Sequence, residues 1–230
     1  MYKHLLFDID NTLLDFTLAE EHSIRETFAR YSIPVTEENI RFYSDINLSF
    51  WKALERKEIT KDELWSGRFL KLGEVLSLPI DRTLSAEINV FYLSALGRCA
   101  FLIDGAEALM QELIRRGYDI YAVTNGNACV QHARLDAIHF KQYFKALFIS
   151  EEMGVSKPEK IFFDRVCDWI GDGDRSSYLI VGDSLTSDIA GGINSGIDTC
   201  WYNPRGEQNN NNTHPTYTVK TYDELLELLK

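Results

Sequence analysis

Several common protein classes are excluded by what the sequence lacks. It has only 4 cysteines among 230 residues, they form no C-x-x-C pair, and neither the zinc motif H-E-x-x-H nor the dinucleotide fingerprint G-x-G-x-x-G occurs. No window reaches about 18 apolar residues, and the first residues, MYKHLLFDID, have no small-residue cleavage site of a signal peptide. We therefore expect reduced thiols, no transmembrane helix and a cytoplasmic location.

Positive charge is also scarce. The chain carries 24 lysines and arginines against 35 aspartates and glutamates, for a net charge of -11. Such a surface repels polynucleotides and anionic membranes, so we expect neither a nucleic acid polymer nor a membrane as partner. A small anionic substrate is still compatible with this charge, because a bound cation or a buried lysine can reverse the field inside one pocket.

Five short apolar runs predict buried strands at 3–8, 120–124, 146–150, 178–183 and 199–202. Their near-continuous hydrophobicity is typical of a parallel sheet that is covered on both faces. Helical patterns alternate with these runs, and at the start of the pattern over 106–114 Asp104 and Glu107 resemble a capping box. This alternation predicts an α/β fold with a Rossmann-like, doubly wound parallel sheet.

Residues 17–97 interrupt the alternation. They contain hardly a convincing strand and four helical patterns, at 18–31, 38–56, 61–77 and 82–96. We predict an all-helical cap domain over 17–97, inserted into a core domain made of 1–16 and 98–230. The four asparagines at 209–212 predict a solvated loop before a terminal helix, and nothing in the sequence assigns that loop a role.

Four aspartates fall where predicted strands end. Asp8 and Asp10 follow the first strand, and Asp183 and Asp188 follow the fourth. Because ligands of open parallel sheets bind beyond the carboxyl ends of the strands, we expect these side chains to converge. Two carboxylates about 4 Å apart repel by roughly 4 kcal/mol at an effective dielectric of 20, so the cluster calls for a proton or a cation. An oxygen-rich site of this kind suits Mg²⁺.

Two further motifs could hold an anion beside that metal. Thr124 and Asn125 follow another predicted strand, and Lys157-Pro158 opens a helix. A hydroxyl, backbone amides and an ammonium group can together surround a phosphate. Each motif alone is an ordinary turn or cap sequence, so the prediction depends on their joint placement.

Taken in order, these motifs resemble those of the haloacid dehalogenase superfamily of aspartate-nucleophile phosphotransferases. The motifs are D-x-D-N-T from Asp8, a strand ending in Thr124-Asn125, Lys157-Pro158, and G-D-S-x-x-x-D from Gly182 to Asp188. The helical insertion is similar to that superfamily's first type of cap. The runs FISEEMGVSKP (148–158) and VGDSLTSDIAGGINSG (181–196) are most similar to bacterial pyrimidine 5'-nucleotidases thought to clear noncanonical nucleotides. The resemblance covers nearly the whole chain.

The resemblance implies a mechanism and a role for each motif. Asp8 would attack phosphorus and form an aspartyl-phosphate, and Asp10 would act first as general acid and then as general base. Mg²⁺ would be bound by the carboxylates of Asp8 and Asp183 and the backbone carbonyl of Asp10. Asp188 would orient the lysine or a metal-bound water. The phosphoryl oxygens would be held by Thr124, Asn125 and Lys157.

Aromatic and amide side chains in the insertion suggest a place for a nucleobase. Tyr43, Asn47 and Trp51 recur at i, i+4 and i+8, and Trp65 and Arg68 lie on the next predicted helix. Aromatic residues at this spacing more often belong to a helix core, whereas packing explains the asparagine less well. Asn47 and Trp51 are therefore the candidate substrate residues of the cap.

We predict a Mg²⁺-dependent phosphomonoesterase that acts on a small-molecule substrate, most closely a pyrimidine nucleoside 5'-monophosphate. A sugar-phosphate or phosphoglycolate phosphatase and a phosphomutase share the core motifs and stay open. A hydrolytic dehalogenase is disfavoured because it needs neither Mg²⁺ nor Asp10. A phospho-accepting regulatory module, from a different functional class, would need neither Asp10 nor the helical insertion, and its aspartyl-phosphate would be long-lived.

Overall fold

Six parallel strands form the central sheet. In the computed structural model, which describes residues 2–210 and 212–230, the strands are β1 (His4–Phe7), β2 (Asp119–Thr124), β3 (Ala146–Ile149), β4 (Tyr178–Gly182), β5 (Asp198–Tyr202) and β6 (Tyr217–Val219). Their order is β3-β2-β1-β4-β5-β6, and all neighbours are parallel. This confirms the predicted α/β class. The sequence reading missed β6, which has 3 residues and is buried only at its last position.

Helices surround the sheet and make up the long insertion. They are α1 (Phe16–Arg30), α2 (Glu37–Glu55), α3 (Lys61–Leu76), α4 (Arg82–Gly97), α5 (Ala106–Arg115), α6 (Ala128–Ala137), α7 (Ser150–Met153), α8 (Lys160–Ile170), α9 (Ala190–Ser195) and α10 (Tyr222–Leu228). A single π-helical turn, Leu185–Ile189, precedes α9. Within the described part of the chain, no helix has the length and hydrophobicity to cross a bilayer. Of the predicted asparagine loop at 209–212, Asn211 lies outside the described residues.

The predicted capping box at the start of α5 is wrong. The helix begins one residue later than that box requires, after Gly105, which has φ 83° and makes no side-chain cap bond. The pair Asp104 and Glu107 is therefore out of register with the helix start. Glu107 instead accepts a hydrogen bond of 2.7 Å from the Tyr143 hydroxyl.

Alternate residues of each strand enter two different cores. Leu5 and Phe7 of β1 belong to one buried cluster together with Met110 of α5. Leu6, between them, belongs to a second cluster together with Phe163 of α8. Because side chains alternate across a strand, helices cover both faces of the sheet, which accounts for the continuous apolar runs in the sequence.

The chain divides into two compact units. One contains Met1–Phe16 and Phe101–Lys230 and holds the sheet, and the other is Thr17–Ala100. In the second unit, α2, α3 and α4 succeed one another as packed neighbours. The first unit holds the strand ends from which the candidate site is built.

The order of the strands determines where in the sheet a ligand site is expected. β1 lies between β2 and β4, so the direction in which strands are added reverses next to β1. In open parallel sheets, ligands bind in the crevice at such a reversal, beyond the carboxyl ends of the strands. Asp8, Thr124 and Asp183 lie at or directly after the ends of these three strands.

Candidate functional site

Asp8 is buried at the end of β1, with 7% of its surface exposed. Its backbone N–H donates to the Val181 carbonyl at 2.9 Å, which continues the pairing of β1 with β4. The ammonium of Lys157 donates to Oδ1 of Asp8 at 2.6 Å. Among the described residues, Oδ2 receives a single long contact of 3.4 Å, from the Thr12 hydroxyl. One carboxylate oxygen is thus tightly held and the other is nearly free.

Lys157 uses all three of its N–H donors inside the protein. Besides Asp8, its Nζ donates to Oδ1 of Asp188 at 2.6 Å and to the Val123 carbonyl at 2.8 Å. The Asn125 side chain holds the lysine backbone from both sides, because it donates to the Lys157 carbonyl at 2.8 Å and accepts from the Lys157 N–H at 2.9 Å. The peptide bond between Lys157 and Pro158 is cis. In this arrangement, the lysine fixes the position of the Asp8 carboxylate.

Asp188 lies on the π-helical turn, and its carboxylate reaches Lys157 at the site. It is 1% exposed, and its second oxygen, Oδ2, accepts from the Ser184 N–H at 3.1 Å. A β-carbon on Gly182 would lie 2.3 Å from that same oxygen, so only glycine leaves room for the carboxylate there. This close approach explains why glycine begins the G-D-S-x-x-x-D motif.

Three carboxylates form a cluster with the donor chemistry of a divalent cation site. One oxygen each from Asp8, Asp183 and Asp188 lies within 4.8 Å of the others. Both oxygens of Asp188 are engaged, whereas the Asp183 carboxylate has no hydrogen-bond partner among residues 2–210 and 212–230. When all three carboxylates are ionised, the single charge of Lys157 leaves two negative charges uncompensated. The donor set therefore fits Mg²⁺, with Asp8 and Asp183 as the available carboxylates.

The pKa shifts of the side chains in this cluster also indicate a site for a cation. Burial raises the pKa of Asp8 to about 7, and the charges of Asp188 and Asp10 raise it too, while Lys157 opposes them. Burial also raises the pKa of Asp183 well above its usual range, with Asp8 and Asp188 adding to the effect. Burial alone would lower the pKa of Lys157, but the charges of Asp188 and Asp8 raise it above its ordinary value. The site thus favours positive charge.

Asp10 is held by two residues of α6 that sequence reasoning missed. Gln131 donates from Nε2 to Oδ2 of Asp10 at 2.7 Å and to the Thr124 hydroxyl at 2.9 Å. Arg134 donates from Nη1 to Oδ1 of Asp10 at 2.5 Å. The signal available in the sequence was a glutamine and an arginine at i and i+3, hence on one face of the helix that follows the Thr124-Asn125 strand end.

The predicted cap residues lie in the second unit. Asn47 is 2% exposed, and its amide is engaged at both ends, donating to Glu20 at 2.6 Å and accepting from Arg68 at 2.7 Å. Trp51 is half-buried and meets the Trp65 ring edge-to-face, with 5.7 Å between ring centres. Contact of Asn47 and Trp51 with a substrate stays a prediction.

Comparisons with known proteins identify the family of this chain. The chain is 39% identical over 228 residues to the pyrimidine 5'-nucleotidase PynA of Streptococcus pneumoniae, covering 99% of this chain and 95% of that protein. It is 35% identical over 225 residues to the pyrimidine 5'-nucleotidase YjjG of Escherichia coli, covering 98% and 96%. The crystal structure of the HAD-hydrolase YfnB of Bacillus subtilis bound to magnesium matches with a TM-score of 0.93 at 37% identity, covering 100% of this chain and 99% of that one. The sequence model for haloacid dehalogenase-like hydrolases matches residues 2–196, and the chain belongs to this family.

Proposed function

We propose that this hydrolase is a Mg²⁺-dependent phosphomonoesterase that cleaves pyrimidine nucleoside 5'-monophosphates through an aspartyl-phosphate. The observation that carries the proposal is the state of Asp8. Its Oδ1 is fixed by Lys157, its Oδ2 is nearly free, and it lies in a carboxylate cluster that carries two uncompensated negative charges when its three carboxylates are ionised. A nucleophile that is oriented by one oxygen can attack with the other.

In the first half-reaction, Oδ2 of Asp8 forms a bond to phosphorus while the ester bond between phosphorus and oxygen breaks. Asp10 enters this step protonated and gives its proton to the leaving alkoxide. In the second half-reaction, water attacks the phosphorus of the aspartyl-phosphate, Asp10 takes a proton from that water, and phosphate and free Asp8 result. The Thr124 hydroxyl and the Asn125 backbone amide hold the phosphoryl oxygens, and Lys157, whose three N–H donors bind Asp8, Asp188 and Val123, adds a positive charge beside them.

The metal would be held by the carboxylates of Asp8 and Asp183 and the backbone carbonyl of Asp10. When bound, Mg²⁺ offsets the repulsion between the attacking carboxylate and the phosphate dianion. Asp188 orients Lys157, since its Oδ1 accepts from the ammonium at 2.6 Å. The magnesium bound to YfnB, at 37% identity over the full chain, supports this choice of metal.

The substrate class is supported by two relatives that bear the name pyrimidine 5'-nucleotidase, each aligned over at least 98% of this chain. In the cap, Trp51 would stack on the base, and Asn47 would hydrogen-bond its edge with the amide N–H that it does not donate to Glu20. This assignment distinguishes a nucleotidase from a sugar-phosphate phosphatase, which would have no base to stack.

Substitution of the nucleophile tests the proposal. Asp8→Asn should lower Mg²⁺-dependent phosphate release from nucleoside 5'-monophosphates by more than about 10³-fold, because an amide cannot form the acyl phosphate. Phosphate release is measured across nucleotides and sugar phosphates, with and without Mg²⁺. Asp168→Asn, an exposed aspartate of α8, is the matched control and should keep full activity.

Three outcomes would contradict the proposal. An active Asp8→Asn enzyme, shown by mass spectrometry to be free of deamidation, would overturn the nucleophile. Transfer of the phosphoryl group to a sugar hydroxyl rather than to water would identify a phosphomutase. Stoichiometric labelling that persists without turnover would identify a phospho-accepting regulatory module.

A further inference from the structure

We propose that Arg134 and Gln131 are positioning residues that aim the Asp10 carboxylate for proton transfer and couple it to the phosphate-binding strand end. The inference rests on the proposed function, because it concerns how the general acid of that reaction is oriented. Both residues come from α6, and neither belongs to the motifs by which the family resemblance was found.

Arg134 is a buried charge at the edge of the site. It is 0% exposed, and its Nη1 donates to Oδ1 of Asp10 at 2.5 Å, while the Asp10 side chain keeps 26% of its surface exposed. The ring of Phe16 lies 5.9 Å from the guanidinium carbon. A buried arginine is tolerated only with a hydrogen-bonded partner, so the pairing holds the partly exposed carboxylate in one place.

The orientation of the Gln131 amide follows from its neighbours. Its Nε2 faces two acceptors, Oδ2 of Asp10 at 2.7 Å and the Thr124 hydroxyl at 2.9 Å. Its Oε1 faces the Arg134 donor at 3.3 Å. A flipped amide would set its oxygen against the Asp10 carboxylate and its nitrogen against the Arg134 cation, so these two contacts fix the orientation, and the Thr124 hydroxyl then accepts from Nε2.

These contacts leave Asp10 oriented and still able to react. Each carboxylate oxygen has two acceptor positions, and one position on each is used by an α6 donor. The remaining positions can carry the proton that the leaving group takes. Because Gln131 also binds the Thr124 hydroxyl, the general acid and the phosphate-binding hydroxyl keep a fixed distance from each other. Holding reacting groups in a productive orientation can raise the reaction rate by orders of magnitude.

The experiment compares two substrates of similar shape that differ in leaving-group basicity, phenyl phosphate and p-nitrophenyl phosphate. It measures kcat/KM, which covers steps only through departure of the leaving group and so leaves out hydrolysis of the aspartyl-phosphate. Arg134→Met and Gln131→Leu should each lower kcat/KM by about 10²-fold for phenyl phosphate but by less than about 5-fold for p-nitrophenyl phosphate, because the better leaving group needs little acid. Arg134→Lys should recover at least about tenfold of the phenyl phosphate loss, since one N–H suffices.

Two controls separate positioning from loss of structure. Arg116→Met removes a partly buried arginine that directly follows α5 and binds the Leu226 carbonyl and Glu112, and it should leave the ratio of the two substrates unchanged. In an Asp10→Asn background, Arg134→Met should change the ratio by less than about 2-fold, because the group it positions is gone.

The possible outcomes distinguish failure of this inference from failure of the proposed function. Equal losses on both substrates, or the same change of ratio with and without Asp10, would overturn the inference and leave the proposed function intact. Absence of Mg²⁺-dependent phosphate release by the unsubstituted enzyme, from nucleotides and from both aryl phosphates, would overturn the proposed function and this inference with it. If Arg134→Met fails to fold, Gln131→Leu and Arg134→Lys decide between these outcomes.

Discussion

Gly126 is the residue that makes room for Gln131. A β-carbon there would lie 2.5 Å from Nε2 of Gln131, inside any real contact distance. That atom ends a flexible side chain, so the collision would move the glutamine and spare the backbone. The glycine after Thr124-Asn125 thus has a steric explanation in the contact between α6 and Asp10.

Gly126→Ala should therefore cost activity more than stability. We expect kcat/KM for nucleoside 5'-monophosphates to fall by about tenfold or more, because the displaced amide no longer holds Asp10 and Thr124 together. The thermal unfolding midpoint should change by only a few degrees. Gly173→Ala is the matched control, since a β-carbon at Gly173 would meet nothing within 4 Å and should leave both quantities unchanged. Full activity in Gly126→Ala would refute this explanation.

At the scale of elements, a buried polar chain joins the four helices of the second unit. Glu20 of α1 accepts from Asn47 of α2 at 2.6 Å, and Asn47 accepts from Arg68 of α3 at 2.7 Å. Arg68 also donates to Asn89 of α4 at 2.8 Å and lies over the rings of Trp65 and Tyr92. Burial raises the pKa of Glu20, whereas the bonds from Ser44 and Asn47 oppose that rise. Each of the four helices thus contributes one residue to this chain of hydrogen bonds.

Asn47→Ala should lower the free energy of unfolding by about 1–3 kcal/mol, because it removes a buried partner from both Glu20 and Arg68. Denaturant unfolding measures this loss. If Asn47 also contacts the base, kcat/KM for a pyrimidine nucleotide should fall at least about tenfold more than for ribose 5-phosphate, whose leaving group is also a primary alkoxide at the 5-position of ribose but carries no base. Asn89→Ala, in the same chain of bonds, is the control for stability alone. Equal ratios of the two substrates in both variants would remove Asn47 from substrate recognition.

For the whole molecule, Mg²⁺ should raise the stability of the folded state. Binding that is restricted to the folded state adds about 2.7 kcal/mol at one hundred times the dissociation constant, or roughly 5–10 °C in the unfolding midpoint at this chain length. Asp183→Asn should abolish the shift, since it removes the carboxylate with no hydrogen-bond partner in the described part of the chain. Asp168→Asn should keep it. An equal shift in wild type and Asp183→Asn would place the metal elsewhere.

Much of this architecture could be predicted because its signals are local. Apolar runs predicted five of the six strands, and the α/β class and family are confirmed. The edge that gathers Asp8, Asp183, Asp188 and Lys157 follows from strand ends of a parallel sheet. The roles of these residues stay predictions. Gln131 and Arg134 were missed because they reach the site from a helix face, whose direction is set by packing of α6 against the sheet and leaves no motif at a strand end.

The sequence by itself determined the alternation of strands and helices, the long helical insertion and the acidic residues that follow β1 and β4, because periodicity and strand-end chemistry act over a few neighbouring residues. Only the tertiary structure decided which donors each carboxylate receives. Lys157 binds Asp8 from 149 positions away, and Arg134 binds Asp10 from 124 positions away. Hydrogen bonds of this kind depend on tenths of an ångström and on the packing of whole elements, and no local pattern encodes such distances.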